Sequence, residues 1–312
     1  MTHNIPWIEK YRAKNLCDII NHDSHIMVIQ NLIEKKSFIN MLFYGEPGTG
    51  KTSMILAIAR CLYGDDDYKS YIKEINASSD KGIDVIRTEV KDYVKLKSKK
   101  IKLVILDEID AMSVDAQGAL RGIIDDYSRY NRFCLICNNI EKIIPALKSR
   151  CLAFNFARPS PELIFSKLKS ITELESININ DEAIMTLASS NKDLRQLINL
   201  LQAISGLYES ELIDDDKMKK FLGINIECYD RLYHNLITGT FEENWTLFIT
   251  ELKTNGLDFL QFVSYVFNAV ILVKISNAPF LLNNLAKIEY RVKNGGDIEI
   301  NMAYLISIFI KA

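Results

Sequence analysis

The stretch MLFYGEPGTGKT, residues 41–52, decides the fold. Its apolar run ends at Gly45 and passes into GEPGTGKT, which fits G-x-x-x-x-G-K-[ST]. The run reads as a buried strand. Gly45, Gly48 and Gly50 then let the backbone turn so that its amides face one anion, and a helix starting at Lys51 adds its positive N-terminus. In that arrangement Lys51 reaches the β- and γ-phosphates of a bound nucleotide, and the Thr52 hydroxyl ligates Mg²⁺. The plain alternative, a glycine-rich turn followed by a lysine, does not require a strand before it and a helix after it.

Working outward, YIKEINA (71–77), KLVILDE (102–108) and RFCLICN (132–138) read as further buried strands, with amphipathic stretches between them. One such stretch is 115–127, where Ala116, Ala119, Leu120, Ile123, Ile124 and Tyr127 recur at helical spacing. The alternation predicts an α/β fold with a parallel sheet. After FARPSPE (156–162) the strand signals fade and helical patterns take over, with another break near FLGINIE (221–227). The expected units are 1–157, 158–223 and 224–312.

LVILDEID (103–110) places four apolar residues before Asp107, so this carboxylate leaves the sheet at its carboxyl edge, beside the phosphates. Asp107 is expected to hold the Mg²⁺ shell with Thr52, and Glu108 to polarise an attacking water. Two more polar residues end apolar runs at that edge or approach it: Asn138, which closes FCLICN, and Arg195 in NKDLRQLINLLQ. Asn138 is placed to bond the γ-phosphate or the water, and Arg195 to bridge the helical unit to the nucleotide. Arg150, in KIIPALKSRCLAF (142–154), stands at the lip of a strand and requires an anion or open water.

The 312 residues allow two or three cores. With 48% hydrophobic and 25% charged residues, the composition is that of an ordinary globular chain. A net charge of −2 excludes a general polycation, so nucleic-acid binding must come from a local patch. The segment 81–102, with eight basic residues against three acids, is either such a patch or a solvated basic helix and loop. Six scattered cysteines suit reduced thiols in an intracellular compartment. The Cys134–Cys137 pair has C-x-x-C spacing, but on a strand positions three apart face opposite sides, so two core thiols are expected rather than a metal site. The charged start, MTHNIPWIEKYR, carries no expectation of a signal peptide, and no apolar run reaches the length of a membrane span.

PWIEKYR (6–12), FYGEPGTGKT (43–52), EINASSDKGIDVIR (74–87), LVILDEIDAM (103–112), RFCLICNN (132–139), KIIPALKSRC (142–151) and DLRQLINLLQ (193–202) together resemble the small subunits of replication factor C, the AAA+ clamp loaders. The resemblance runs in order over 6–202. Beyond that it extends only to length and helical character. It implies an AAA+ P-loop domain, a helical lid and an all-α collar that joins subunits into a heteropentamer. Such a ring uses ATP and Mg²⁺ to open a sliding clamp and place it on primer–template DNA, at replication sites inside the cell. Those sites are nuclear in a eukaryote and in a viral replication compartment if the chain is viral.

The same resemblance puts Ile8, Arg12 and Ile20 on the adenine side of the pocket. It makes Gly45, Glu46, Pro47, Gly48, Thr49, Gly50, Lys51, Thr52 and Ser53 the phosphate-binding set. Asn138 becomes a first sensor and Arg195 a second, while Arg150 acts in trans on a neighbour's nucleotide. Lys81, Arg87 and Lys91 become contacts to the DNA backbone, and Tyr93, Val94 and Leu96, apolar among lysines, are either a clamp-facing plug or ordinary core packing. Departures include Ala13, Ser79, Ile109, Gly118, Gly122 and Lys192, none of which removes a phosphate-handling group. Two other readings remain open at this point: a ring member that supplies only scaffold and arginine, and an origin-binding initiator. The latter would end in a basic winged helix, of which 224–312 shows no sign.

Overall fold

A computed structural model describes residues 5–78, 83–190, 192–209, 211–224, 226–254, 257–272 and 277–310, with side chains of 83–87, 226 and 254 left aside. Five strands, β1 Met41–Gly45, β2 Ile72–Asn76, β3 Lys102–Asp107, β4 Asn131–Cys137 and β5 Leu152–Phe156, form one parallel sheet in the order β2-β3-β4-β1-β5. β1 pairs with β4 from Met41–Cys134 to Tyr44–Cys137, and β3 pairs with β4 from Lys102–Asn131 to Leu106–Leu135. This register brings the carboxyl ends of β1, β3 and β4 together at one edge.

Helices α1 Trp7–Lys10, α2 Asp23–Glu34, α3 Lys51–Tyr63, α4 Tyr68–Tyr71, α5 Ile83–Lys95, α6 Val114–Tyr127 and α7 Pro145–Lys148 accompany the sheet. Alternation along the strands sorts side chains between two cores. Met41, Phe43, Leu103, Ile105, Cys134 and Ile136 face one, with Ile29 of α2 and Met54, Ile55 and Ile58 of α3. Leu42, Val104, Leu106, Phe133, Leu135 and Cys137 face the other, with Val90 and Val94 of α5 and Leu120, Ile123 and Ile124 of α6. Cys134 and Cys137 therefore lie on opposite faces, both buried as free thiols. Among the described residues no cluster fit to hold a metal through His, Cys and carboxylate ligands is present.

The helical region follows as α8 Pro161–Leu174, α9 Asp181–Ser189 and α10 Leu194–Tyr208. Each begins at a side-chain cap: Ser160, Asn180 and Asp193 accept bonds from the amides of Leu163, Ala183 and Gln196. On α10, Leu194 is half-buried, while Leu197, Ile198, Leu201 and Ile204 are buried.

The chain divides into two compact units, Met1–Leu212 and Ile213–Ala312. The second contains α11 Asp215–Phe221, α12 Ile226–Thr238, α13 Phe241–Thr254, α14 Phe259–Leu272, α15 Ala278–Lys293 and α16 Ile298–Ile310. Its core is built on Leu232, Phe248, Phe262, Ile288 and Leu305. Two buried amides are hydrogen-bonded inside it, although Asn244 Oδ1 has no partner. Asn284 accepts from the Tyr304 hydroxyl at 2.7 Å, and Asn244 donates to the carbonyls of Asn235 and Thr240. Among the described residues no helix is long and apolar enough to cross a membrane.

Candidate active site

β1 delivers the chain to the glycine-rich turn at the sheet's carboxyl edge. Gly45 has φ +142°, and a Cβ there would lie 2.2 Å from the Phe156 carbonyl oxygen of β5. Gly48 has φ +73°, and its Cβ would meet Asp193 Cβ at 2.6 Å, where α10 begins. Both positions demand glycine for backbone angle and for space.

Lys51, the first residue of α3, is buried and folds back over the turn. Its Nζ donates to the carbonyls of Gly45 and Glu46, each at 2.7 Å, and to Asn138 Oδ1 at 3.0 Å. Burial pulls its pKa below the usual lysine value, opposed by the nearby Asp107 carboxylate. Thr49 is also buried and closes the turn through Oγ1 to the Glu46 carbonyl at 2.8 Å.

Asp107, the last residue of β3, accepts from Thr52 Oγ1 on Oδ2 and from the Glu108 amide on Oδ1, both at 2.9 Å. Glu108 holds φ +57°, uncommon for a residue with a side chain, and such strain clusters at functional sites. Asp110 then reaches the end of β4. Its Oδ2 accepts from the amides of Asn138 at 3.3 Å and Asn139 at 3.1 Å. Lys51, Thr52, Asp107 and Asn138, expected to converge, thus form one bonded chain across β1, β3 and β4.

A cavity of about 350 Å³ opens beside the turn. Its walls include Ile8, Arg12, Ile20, Gly48, Thr49, Gly50, Thr52, Ser53 and Arg195. Gly45 and Asn138 are joined by the Lys51 ammonium, while Glu46 and Pro47 line a smaller neighbouring cavity with Gly48, Thr49 and Asp193. Arg195 is exposed on the first turn of α10, and Arg12 lies 3.5 Å from Glu9.

Arg150 does not enter this cavity. It follows α7 and pairs with Asp125 of α6, Nε to Oδ1 at 2.5 Å and Nη2 to Oδ2 at 3.0 Å, while Nη1 donates to the Ala146 carbonyl at 2.8 Å.

The basic segment departs from expectation in two places. Lys102 is buried: its Nζ donates to the carbonyls of Tyr93 and, at 2.7 Å, Leu96, satisfying carbonyls where α5 ends. Val94 is not a surface plug. It is 5% exposed because it follows Val90 by four residues on the core face of α5. Tyr93 is half-buried against the same core, and Leu96 alone of the three is exposed. Lys91 is half-buried on α5, whereas Lys95, Lys97, Lys99 and Lys100 are exposed. Lys81 and Ser79 lie outside the described residues, as does the side chain of Arg87.

Sequence reading missed Asp110, Asp125 and Gln117. Gln117 is 1% exposed, donates to the carbonyls of Met112 (3.2 Å) and Lys142 (3.0 Å), and accepts from the Ile144 amide at 2.9 Å. Its signal was available, since it precedes Leu120 and Ile124 by three and seven residues on the apolar face of α6.

Residues 41–158 match the family model described as ATPase family associated with various cellular activities (AAA). The chain is 37% identical over 316 residues to human replication factor C subunit 5, covering 98% of this chain and 92% of that one. It is 35% identical to replication factor C subunit 3 of Schizosaccharomyces pombe, covering 97% and 90%. Among solved structures it resembles the Thermotoga maritima RuvB Holliday junction branch migration motor, with TM-score 0.56, 15% identity, and 78% and 88% coverage, a likeness of fold alone.

Proposed function

The chain belongs to the small subunits of replication factor C, clamp-loader AAA+ ATPases of DNA replication, and from that premise we propose that it hydrolyses ATP within a heteropentameric ring. That ring opens a sliding clamp and closes it around primer–template DNA, at sites of DNA replication. Residues 1–157 bind the nucleotide, 158–223 form the lid, and 224–312 form the collar that joins subunits, with α11 at the boundary.

The observation that carries the reading is the bonded chain Asn138–Lys51 and Thr52–Asp107 at one sheet edge. Lys51 leaves its carbonyl partners for the β- and γ-phosphates, which sit over the amides of residues 45–53. Ile8, Arg12 and Ile20 receive the adenine end. Thr52 Oγ1 and Asp107 Oδ2 are hard oxygen donors 2.9 Å apart, close to the spacing of about 3 Å between adjacent ligands of an octahedral Mg²⁺. When bound there, Mg²⁺ supplies charge neutralisation at the phosphate oxygens. Glu108 accepts a proton from the attacking water and orients it. Asn138, its backbone fixed by Asp110, presents its amide to the γ-phosphate, and Arg195 brings the lid onto the same group. Arg150 serves the nucleotide of the adjacent subunit.

Lys81, Arg87 and Lys91 track the phosphates of duplex DNA, with no reading of bases, so binding is salt-sensitive and blind to sequence. At the amino edge of the sheet, exposed Leu96, Ile101 and Tyr130 gather round the buried Lys102 and offer an apolar contact to the clamp.

Glu108→Gln tests the hydrolytic reading. The variant is expected to bind ATP and stall, whereas Lys51→Ala fails to bind. Full hydrolysis at this subunit in Glu108→Gln would overturn the role given to Glu108.

A further inference from the structure

Helix α1 is a single turn, Trp7–Lys10, with no buried residue. An isolated turn is far too short to be stable by itself. Yet Ile8 within it and Arg12 two residues past its end belong to the wall of the cavity. Something outside the segment must hold that wall.

Two side chains do so, Lys10 and Tyr11, the latter itself part of the cavity wall. Lys10 Nζ donates to Glu175 Oε1 at 2.6 Å, and the Tyr11 hydroxyl donates to the same oxygen at 2.5 Å. The Trp7 amide adds a bond to Gln202 Oε1 at 3.1 Å. Glu175 lies just past the end of α8, and Gln202 lies on α10, which also carries the wall residues Arg195 and Ile198. The base-side segment and the helices α8 and α10 are therefore clasped together, and both sides contribute residues to one cavity.

Glu175 is poorly placed for its own helix. An acid at the C-terminal end opposes the helix dipole, and it is followed by Ser176 at φ +54°. Its two donors come from the base-side segment, and its side chain is only 18% exposed. The chemistry of the position is explained by the clasp and not by α8.

We propose that Glu175 is a positioning residue for the nucleotide base. Through Lys10 and Tyr11 it holds the wall containing Ile8 and Arg12 against the lid before ATP arrives. Without the clasp the wall must be ordered on binding, and the apparent affinity falls by that cost. The loss is confined to the adenosine end, because the phosphate turn is held separately by Lys51, Thr49 and the sheet. This rests on the reading of the cavity as a nucleotide site.

The test uses the full chain and two competitors of a fluorescent ATP analogue: ATP and inorganic triphosphate. Glu175→Ala is expected to weaken ATP about tenfold, in line with the loss of a charge-assisted hydrogen bond, and to leave triphosphate within about twofold. Glu175→Gln, which keeps an acceptor for Tyr11, should fall between. Tyr11→Phe removes one hydroxyl without a cavity and should weaken ATP alone, by a smaller factor. Equal losses for ATP and triphosphate, or no loss for either, overturns the proposal. Lys51→Ala must lose both competitors. If it retains them, the nucleotide-site reading fails instead, whatever Glu175 does.

Discussion

Arg150 and Asp125 form a two-point ion pair inside one chain, although 25 residues separate them. The pair occupies Nε and one N–H of Nη2, and Nη1 turns back to the Ala146 carbonyl and, at 3.4 Å, Ser149 Oγ. Of the five guanidinium donors, the second N–H of Nη2 faces away from Asp125. Asp125 is held below the usual carboxylate range, chiefly by this hydrogen bond. The arginine is thus aimed and still able to meet a second anion.

If that anion is the γ-phosphate of a neighbour, Asp125→Ala should slow hydrolysis at the adjacent subunit about tenfold by freeing the side chain. Arg150→Ala should slow it by roughly 10³. Neither should change ATP binding by this chain's own site. Complexes in which only the adjacent site can hydrolyse give the rate directly, and a faster rate in Asp125→Ala would show restraint instead of positioning.

Asp110 joins the end of β3 to the end of β4 through the amides of Asn138 and Asn139. Asp110→Ala removes that acceptor and leaves Asn138 free to shift by a fraction of an ångström, which in-line displacement tolerates poorly. Turnover is expected to fall about tenfold with nucleotide affinity nearly unchanged. Single-turnover hydrolysis beside equilibrium titration separates the two quantities.

Gly48→Ala faces both a left-handed backbone and the Asp193 side chain at 2.6 Å. The turn and the start of α10 cannot both keep their places. We expect ATP binding to be lost and stability to fall by about 1–3 kcal/mol, read by titration and by thermal melting.

His22 and His25 stack with ring centres 5.3 Å apart, His22 against Phe156, and His22 Nε2 and His25 Nδ1 are buried without partners. Burial lowers the pKa of both. Below the usual imidazole value of about 6.5 the unfolded chain therefore takes up protons that the folded chain refuses. Stability is complete above that pH and declines as pH falls towards the lowered folded values. Chemical denaturation between pH 7.5 and 5 should show this decline, and His22→Phe should flatten part of it.

The parallel sheet and phosphate turn were legible because both are written in local order: apolar runs of strand length, then glycines, then a lysine. The direction of α5 was harder. Its lysine-rich sequence suggests a surface, yet Val90 and Val94 set the buried phase, and Lys102 is turned inward by the carbonyls at the helix end. Asp125 and Glu175 left no local trace, since their partners lie 25 and some 165 residues away, and only the folded chain brings them together. The same is true of Asp110, whose acceptor role depends on β3 and β4 being neighbours.

Hydrolysis of ATP by this chain during clamp loading is open to direct test. The direct measurement is ATP turnover by the complex that co-purifies with it, with and without its clamp and primer–template DNA, comparing wild type with Glu108→Gln. The account predicts that clamp and DNA together stimulate wild-type turnover, and that Glu108→Gln binds ATP but loses the share of turnover belonging to this subunit. Equal stimulated turnover in the two complexes would contradict it.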